Sequence, residues 1–201
     1  MIFKLAVGPM ACNAYIVACD ETKEALVIDP GADAGRIKAL ALKHGLKVKC
    51  VVNTHGHGDH IGANGAFKVP ILIHSLDAGA LTDPVMNLSE MFFFRITSPE
   101  ASRLLKDGDL IEFGKKSLTV IHTPGHTPGG ISLKMGDAVF TGDTLFCGGI
   151  GRTDLPGGES DKLLMSIRHR LMALDDDTRI YPGHGPDSTI GDERRNNPFI
   201  A

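Results

Sequence analysis

Within six residues, His55-Gly56-His57-Gly58-Asp59-His60, the chain gathers four side chains of the kind that bind metal ions. A half-buried loop carrying them needs something to offset their desolvation, and a bound cation supplies it. Two histidines spaced by one residue after a buried strand can point to one side, while Asp59 and His60 turn toward an adjacent position. Taken alone, the cluster could also be a solvated Gly/His turn. Three further positions share one grammar: His126 in Thr123-Pro124-Gly125-His126, Asp143 in Thr141-Gly142-Asp143, and His184 in Tyr181-Pro182-Gly183-His184. Each follows an apolar, strand-like run and has a glycine immediately before it, which permits a sharp turn and close approach of backbone to an ion. A single His or Asp in a turn is ordinary. All seven together point to metal-assisted chemistry.

Competing chemistries find less support. There is no G-x-S-x-G nucleophile elbow. Cys147 follows Asp143 by four residues, but its glycine-rich flanks show no paired base, so an inert, buried or supporting thiol is expected. Gly148 to Asp154 has no G-K-[ST] and is not a phosphate cradle. Within it, Arg152 is a candidate for binding an anionic part of a substrate, with an Arg152–Asp154 structural pair as the other reading. Of the remaining histidines, His44 ends a predicted helix, His74 ends a strand and His169 lies in a helix. His122, beside the His126 loop, is the one placed to support a ligand.

The elements that must position these residues are short strands and few helices. Ala14 to Ala18, Ala25 to Asp29, Lys47 to Asn53 and Val69 to His74 read as strands, with Asp29-Pro30-Gly31 as a turn. A helix is predicted over Asp33 to His44, capped by Asp33 and stopped by Gly45. Ser75 is the expected cap of a short helix through Leu81. Further on, Leu110 to Phe113, Ser117 to Ile121, Ile131 to Met135 and Ala138 to Thr141 read as a meander turning at Gly114 and Gly136. Ser160 is expected to cap a helix through Leu174, followed by a strand over Arg179 to Pro182 and a terminal helix over Thr189 to Asn196. Met91-Phe92-Phe93-Phe94, between Pro84 and Pro99, has no clear period. Core or lobe-connecting packing is the first expectation for it, and a lid over a site the second.

Composition sets the bounds. A chain of 201 residues fits one domain over 1–201, built from two similar lobes at roughly 1–100 and 101–201. A faint echo supports the lobes: Val51-Val52-Asn53-Thr54-His55-Gly56-His57 resembles Val120-Ile121-His122-Thr123-Pro124-Gly125-His126. With 24 acidic against 21 basic residues the net charge is -3, which argues against a nucleic-acid partner. No run approaches the ~18–20 apolar residues of a membrane helix, so no membrane association is expected. Four cysteines without C-x-x-C spacing suggest neither a disulfide framework nor a cysteine zinc knot, and a reducing cytoplasmic setting is the default.

With these residues in hand, the sequence resembles the metallo-β-lactamase superfamily over nearly its whole length. The Asp29-Pro30-Gly31 turn, the H-x-H-x-D-H run, the later His, the Gly-Asp and the terminal Gly-His stand in that family's order. The resemblance implies an α/β fold, a four-layer αββα sandwich with a dinuclear metal centre at one edge. Carried over by motif, His55, His57 and His126 hold one divalent ion, and Asp59, His60 and His184 the other, with Asp143 bridging. This all-N/O set suits zinc and tolerates iron or manganese. Two such ions can share and ionise a water that attacks a polarised carbonyl.

Within the superfamily the chain looks most like the short glyoxalase II-like hydrolases. Pro124-Gly125-His126-Thr127-Pro128-Gly129, Gly142-Asp143-Thr144-Leu145-Phe146, Tyr181-Pro182-Gly183-His184-Gly185-Pro186 and Gly191 to Phe199 carry that likeness. It implies a small-molecule thioester substrate such as S-lactoylglutathione, with Asp59 in the catalytic machinery. Only 17 residues follow His184 (201 − 184), too few for the C-terminal helical domain with which longer relatives grip glutathione. The runner-up resemblance is to persulfide dioxygenases. They share the H-x-H-x-D-H run and a similar Gly151-Arg152-Thr153-Asp154 loop, and they look like users of one iron held by the equivalents of His55, His126 and Asp143.

Overall fold

Alternating burial builds the molecule outward from two sheets in the computed structural model, which describes residues 1–200. The first sheet has the order β1 (Ile2–Val7), β2 (Cys12–Ala18), β3 (Glu24–Ile28), β4 (Lys47–Val52), β5 (Ile71–His74), β6 (Arg103–Leu105). Its first three strands are antiparallel, and β3 to β6 run parallel. The second contains the meander β7 (Leu110–Phe113), β8 (Lys116–His122), β9 (Ile131–Met135), β10 (Ala138–Gly142). A hairpin, β11 (Leu145–Phe146) with β12 (Gly149–Ile150), follows it. Then β13 (Arg179–Pro182) joins β10 in parallel and β14 (Ser188–Thr189) closes that edge.

Period two decides which layer each side chain enters. Along β2, Tyr15 and Val17 enter the core between the sheets, where they meet Phe113, Leu118, Val120 and Phe140 of the second sheet. Their neighbours Ala14, Ile16 and Ala18 face the other way, onto Ile37 and Ala41 of helix α1 (Ala34–Lys43). After the single turn α2 (Gly58–Ile61), the outer face of the second sheet is covered by α3 (Ser160–Ser166) and α4 (Ile190–Asn196). There Val139 and Ile180 pack against Leu163, Ile167, Leu171 and Ile190. The layers are therefore helix, sheet, sheet, helix, the αββα sandwich that the resemblance implied. No helix among the described residues is long and apolar enough to cross a membrane.

The helix caps differ from expectation. Asp33 stands at φ 52 and gives no side-chain cap to α1. Its carboxylate instead accepts from Gly8 N–H and the Arg36 guanidinium. Residues 75–81 form a 3-10 helix capped by His74, whose Nδ1 accepts Leu76 N–H. Glu159, not Ser160, precedes α3, and the predicted long helix widens into a π turn over Ile167–Leu171. Thr189 also caps with its side chain, accepting Asp192 N–H at the start of α4. Cys147 is exposed rather than buried.

His74 and His122, at the ends of β5 and β8, join the two sheets by stacking 4.2 Å apart and 8° from parallel. His122 Nε2–H donates to Pro128 O at 3.0 Å. Burial, then the neighbouring His122, lower the pKa of His74, against the opposing pull of Asp77 and Asp107. The folded chain thus binds fewer protons here than the unfolded one, so stability falls as pH drops through the ordinary histidine range. The loss is expected to stay below about 1.4 kcal/mol per pH unit. Thermal melts of metal-loaded protein between pH 7 and 5.5 should show a smaller loss in His74→Asn than in the parent.

Candidate metal centre

The seven motif residues come together at one edge of the sandwich, each beyond the C-terminal end of a strand, Asp59 and His60 on the single turn α2. His55 to His60 follow β4, His126 follows β8, Asp143 follows β10 and His184 follows β13. Donor atoms of His55, His57 and His126 lie within 4.8 Å of one another, and so do those of Asp59, His60 and His184. Asp143 touches both sets. Its Oδ1 is 3.4 Å from His60 Nε2, and its Oδ2 lies 3.7 Å from His126 Nε2 and 3.6 Å from His184 Nε2.

Hydrogen bonds to the far side of each ring set the tautomers, because a carbonyl or carboxylate can only accept. His126 Nδ1–H donates to Arg152 O at 2.7 Å, and His184 Nδ1–H to Met10 O at 3.1 Å. His60 Nδ1–H donates to Asp29 Oδ2 at 3.0 Å. Thr54 Oγ1 gives its proton to Asp29 Oδ2 at 2.6 Å and so accepts from His55 Nδ1 at 3.1 Å. Four Nε2 atoms therefore converge on the interior of the site. His60 Nε2 and His184 Nε2 face each other at 3.3 Å, and His55 Nε2 and Asp143 Oδ1 are buried with no partner at all. Buried polar atoms are almost always paired, so orphaned acceptors of this kind fit cations. A third grouping, Asp29 with His55 and His60, is geometrically close, but the Asp29 oxygens are already occupied by Thr54 and His60.

The electrostatics agree. Burial, and then the surrounding imidazoles, hold His55 well below its ordinary pKa and bring His57 down to about 3, so both keep free lone pairs. Burial opposes ionisation of Asp59, yet the imidazoles of His60 and His184 outweigh it and hold its carboxyl low. His60 goes the other way. Burial disfavours its charged form, but Cys12 beside it, then Asp59, Asp143 and Asp29, overcome that and raise it well above the usual range. Carboxylates this dense around one ring demand positive charge, which a proton or a metal ion can provide.

Glycine is required at two of the predicted turns. A Cβ on residue 183 would lie 2.1 Å from Asp143 Oδ1 and 2.8 Å from His60 Cε1. Gly142 stands at φ 49, with Thr54 Oγ1 2.4 Å from where a Cβ would sit.

Several supporting residues carried no sequence signal of their bracing role. Asp29 looked like part of a turn, and it braces His60 and Thr54. Asn13 Nδ2–H and Tyr15 O–H both donate to Pro182 O, and Asn13 N–H to Gly183 O, so β2 holds the His184 loop. Glu193 accepts from Gly148 N–H, and Asn197 donates to Gly149 O, tying α4 to the hairpin that leads to Arg152. Asn87 O accepts Gly58 N–H, while its side chain donates to Ala80 O and Ile96 O, pinning the 83–96 loop to the metal-type loop.

Asp77 is buried and joins both histidine loops, accepting Gly56 N–H at 3.0 Å, Thr127 Oγ1–H at 2.7 Å and Gly129 N–H at 2.6 Å. Asp77→Ala would orphan three donors at a cost of about 3 kcal/mol or more. A fall in Tm of roughly 10 °C is expected, with weaker metal retention on dialysis.

A cavity of about 190 Å³ opens over the donors. Its walls include Val7, Met10, Leu88, Phe92, Phe94 and Leu155, and Asp59, Asp143 and His184 reach it. Met91 to Phe94 are exposed around a 3-10 turn, Phe93 at 98%, so they are neither a core helix nor lobe packing; Phe92 and Phe94 edge the cavity. Arg152 also lines it, but its guanidinium is held by Asp154 through two 2.8 Å bonds, the structural pair.

Known proteins resemble this chain in sequence and fold. The family model described as the metallo-beta-lactamase superfamily matches residues 7–184, a span that contains all seven donors. The chain is 35% identical to hydroxyacylglutathione hydrolase GloC of Haemophilus influenzae, covering 90% of this chain and 89% of that one. It is 34% identical to the mitochondrial persulfide dioxygenase ETHE1 of Homo sapiens, covering 96% of this chain and 73% of the human one. Among solved structures, the BLEG-1 B3 metallo-beta-lactamase superposes with a TM-score of 0.96 at 37% identity, covering all of both chains. TTHA1623, solved in a di-iron-bound form, gives 0.85 at 37% identity, covering 98% of this chain and 99% of that one. By its matched span, its layers and these relatives, the chain belongs to the metallo-beta-lactamase superfamily, whose members are typically metal-dependent hydrolases.

Proposed function

We propose that the chain hydrolyses thioesters with the help of two divalent metal ions, zinc being the first candidate, and that a hydroxyacyl thioester of the S-lactoylglutathione type is its reference substrate. The observation that carries this reading is the pair of donor triads on either side of Asp143, with His55 Nε2 of the first and Asp143 Oδ1 buried and unpartnered between them. His55, His57 and His126 would hold one ion, Asp59, His60 and His184 the other, and Asp143 would serve both. When bound, such a pair supplies a nucleophilic water at neutral pH and a Lewis acid for the acyl carbonyl.

The chain's own residues do the rest. Asp59, ionised at the cavity floor with Oδ2 3.2 Å from His184 Nε2, keeps that side of the site negative. Apolar walls exclude bulk water from the thioester and strengthen every charge interaction inside. No cysteine lines the cavity: Cys19 and Cys50 lie in the core between the sheets, Cys147 stands outside it, and Cys12, beside His60, is buried with its thiol pushed up to about 12.

A mononuclear iron persulfide dioxygenase built on His55, His126 and Asp143 is the second reading, favoured by the Gly151 to Asp154 loop and the likeness to ETHE1. The Asp59, His60 and His184 triad favours the hydrolase, since one iron would leave those three donors facing each other without a cation. Metal analysis of freshly purified protein, with thioester, β-lactam and persulfide-plus-oxygen assays, separates the readings. Two ions per chain and thioester cleavage are expected. One iron with oxygen uptake, or β-lactam cleavage without thioester cleavage, would overturn the proposal.

A further inference from the structure

A second cavity, about 530 Å³ and larger than the first, opens on the far side of His57 and Leu88, which line both. Its walls are made by Leu76, Ala80, Val85, Met86, Met91 and Pro128. Leu76, Val85, Met86 and Met91 are each more than half exposed, a concentration of apolar surface at the mouth of a site. Two acidic residues line it and no lysine or arginine does. Asp77 has its carboxylate taken by Gly56, Thr127 and Gly129, and Glu90 sits 3.8 Å from Arg95. In the first cavity the sole guanidinium, that of Arg152, is already paired with Asp154.

We propose that the second cavity is the subsite for an uncharged aliphatic arm of the substrate, so that the preferred thioesters carry a medium-length aliphatic acyl chain on an uncharged thiol. This narrows the thioester reading above and rests on it. The shared wall at His57 supports it. The ring presents Nδ1 to His126 at 3.0 Å on the donor side and forms part of the second cavity's wall, so a scissile bond at the donors leaves one arm pointing each way. Charge supports it too. Glutathione brings two carboxylates, and the cavity meets them with Glu90 and no free cation. Methionine walls adapt to a flexible chain at little cost.

The test uses metal-loaded protein and N-acetylcysteamine thioesters from acetyl to octanoyl, beside S-lactoylglutathione. Each methylene buried is worth about four-fold in affinity. With partial burial, kcat/KM is expected to rise about 30-fold from acetyl to octanoyl and to exceed that for S-lactoylglutathione. Met86→Glu and Leu76→Glu, on separate walls and exposed enough to leave the fold intact, should each remove most of the octanoyl advantage and leave acetyl turnover unchanged. A flat chain-length series, or variants that keep the octanoyl-to-acetyl ratio, would overturn the subsite.

Calorimetry of octanoate against acetate gives a readout independent of turnover. If no thioester is cleaved, octanoate binding at least ten-fold tighter than acetate, and lost in Met86→Glu, upholds the subsite while the thioester reading falls. Equal binding overturns the subsite. So does a stable dimer that Met86→Glu dissolves, which would assign the face to a second copy of the chain.

Discussion

Asp59→Ala is expected to lower kcat/KM by about 10³-fold, reduce bound metal from two ions per chain to one, and leave Tm within a few degrees of the parent. The carboxylate lies at the cavity floor, its Oδ2 3.2 Å from His184 Nε2 and 3.6 Å from His60 Nε2, and it contributes to none of the apolar clusters. Removing it takes a charge from one donor triad without opening a void in the core. Loss of one ion from a cooperating pair costs several kcal/mol of transition-state stabilisation, and each 1.36 kcal/mol is ten-fold in rate. Metal content, circular dichroism and initial rates on one preparation check all three claims. A variant with two ions and near-normal rates would show that Asp59 stands outside the machinery.

The donors were legible in the sequence because metal chemistry restricts residue types and the strand-to-loop grammar restricts their places. Gly-His and Gly-Asp after an apolar run carry both restrictions in a few residues, and His126, Asp143 and His184 meet the His55 to His60 run as that grammar implies. The meander was equally plain, since Gly114 and Gly136 stand at φ 59 and 57 where its hairpins turn.

What braces the donors was hidden. Asp29, Asp77 and Asn13 act by accepting from or donating to backbone across 21 to 169 residues of chain, and an acidic or amide residue beside a strand has no local mark of such a partner. The predicted caps at Asp33, Ser75 and Ser160 fail for the same reason. Asp33 is drawn to Gly8 and Arg36, while His74 and Glu159 occupy the N-cap positions of the other two helices. Residues 83–96 lacked a period because their order comes from Asn87, which binds Ala80, Ile96 and Gly58 at once, and not from a repeating apolar face.

Gly183→Ala tests whether the two donor triads are one mechanical unit. The added methyl cannot be absorbed by a flexible side chain, for the atoms it meets are Asp143 Oδ1 at 2.1 Å and His60 Cε1 at 2.8 Å, one from the shared carboxylate and one from the Asp59 triad. Backbone cannot yield either, because Gly183 N–H donates to Gly142 O at 2.8 Å and Gly183 O accepts Asn13 N–H at 2.7 Å, fastening it to both sheets. On the proposed two-ion reading, displacing Asp143 would disturb both ions, whereas losing Asp59 would remove one. The expected result is less than one ion per chain after dialysis, activity down by about 10³-fold or more, and, unlike Asp59→Ala, a Tm lowered by several degrees from overpacking of about 1–3 kcal/mol. Excess zinc should restore little activity to Gly183→Ala, since the donors are misplaced rather than merely fewer. Full metal content with parental rates would mean that the loop after β13 can shift without moving Asp143, and that the two sites are independent.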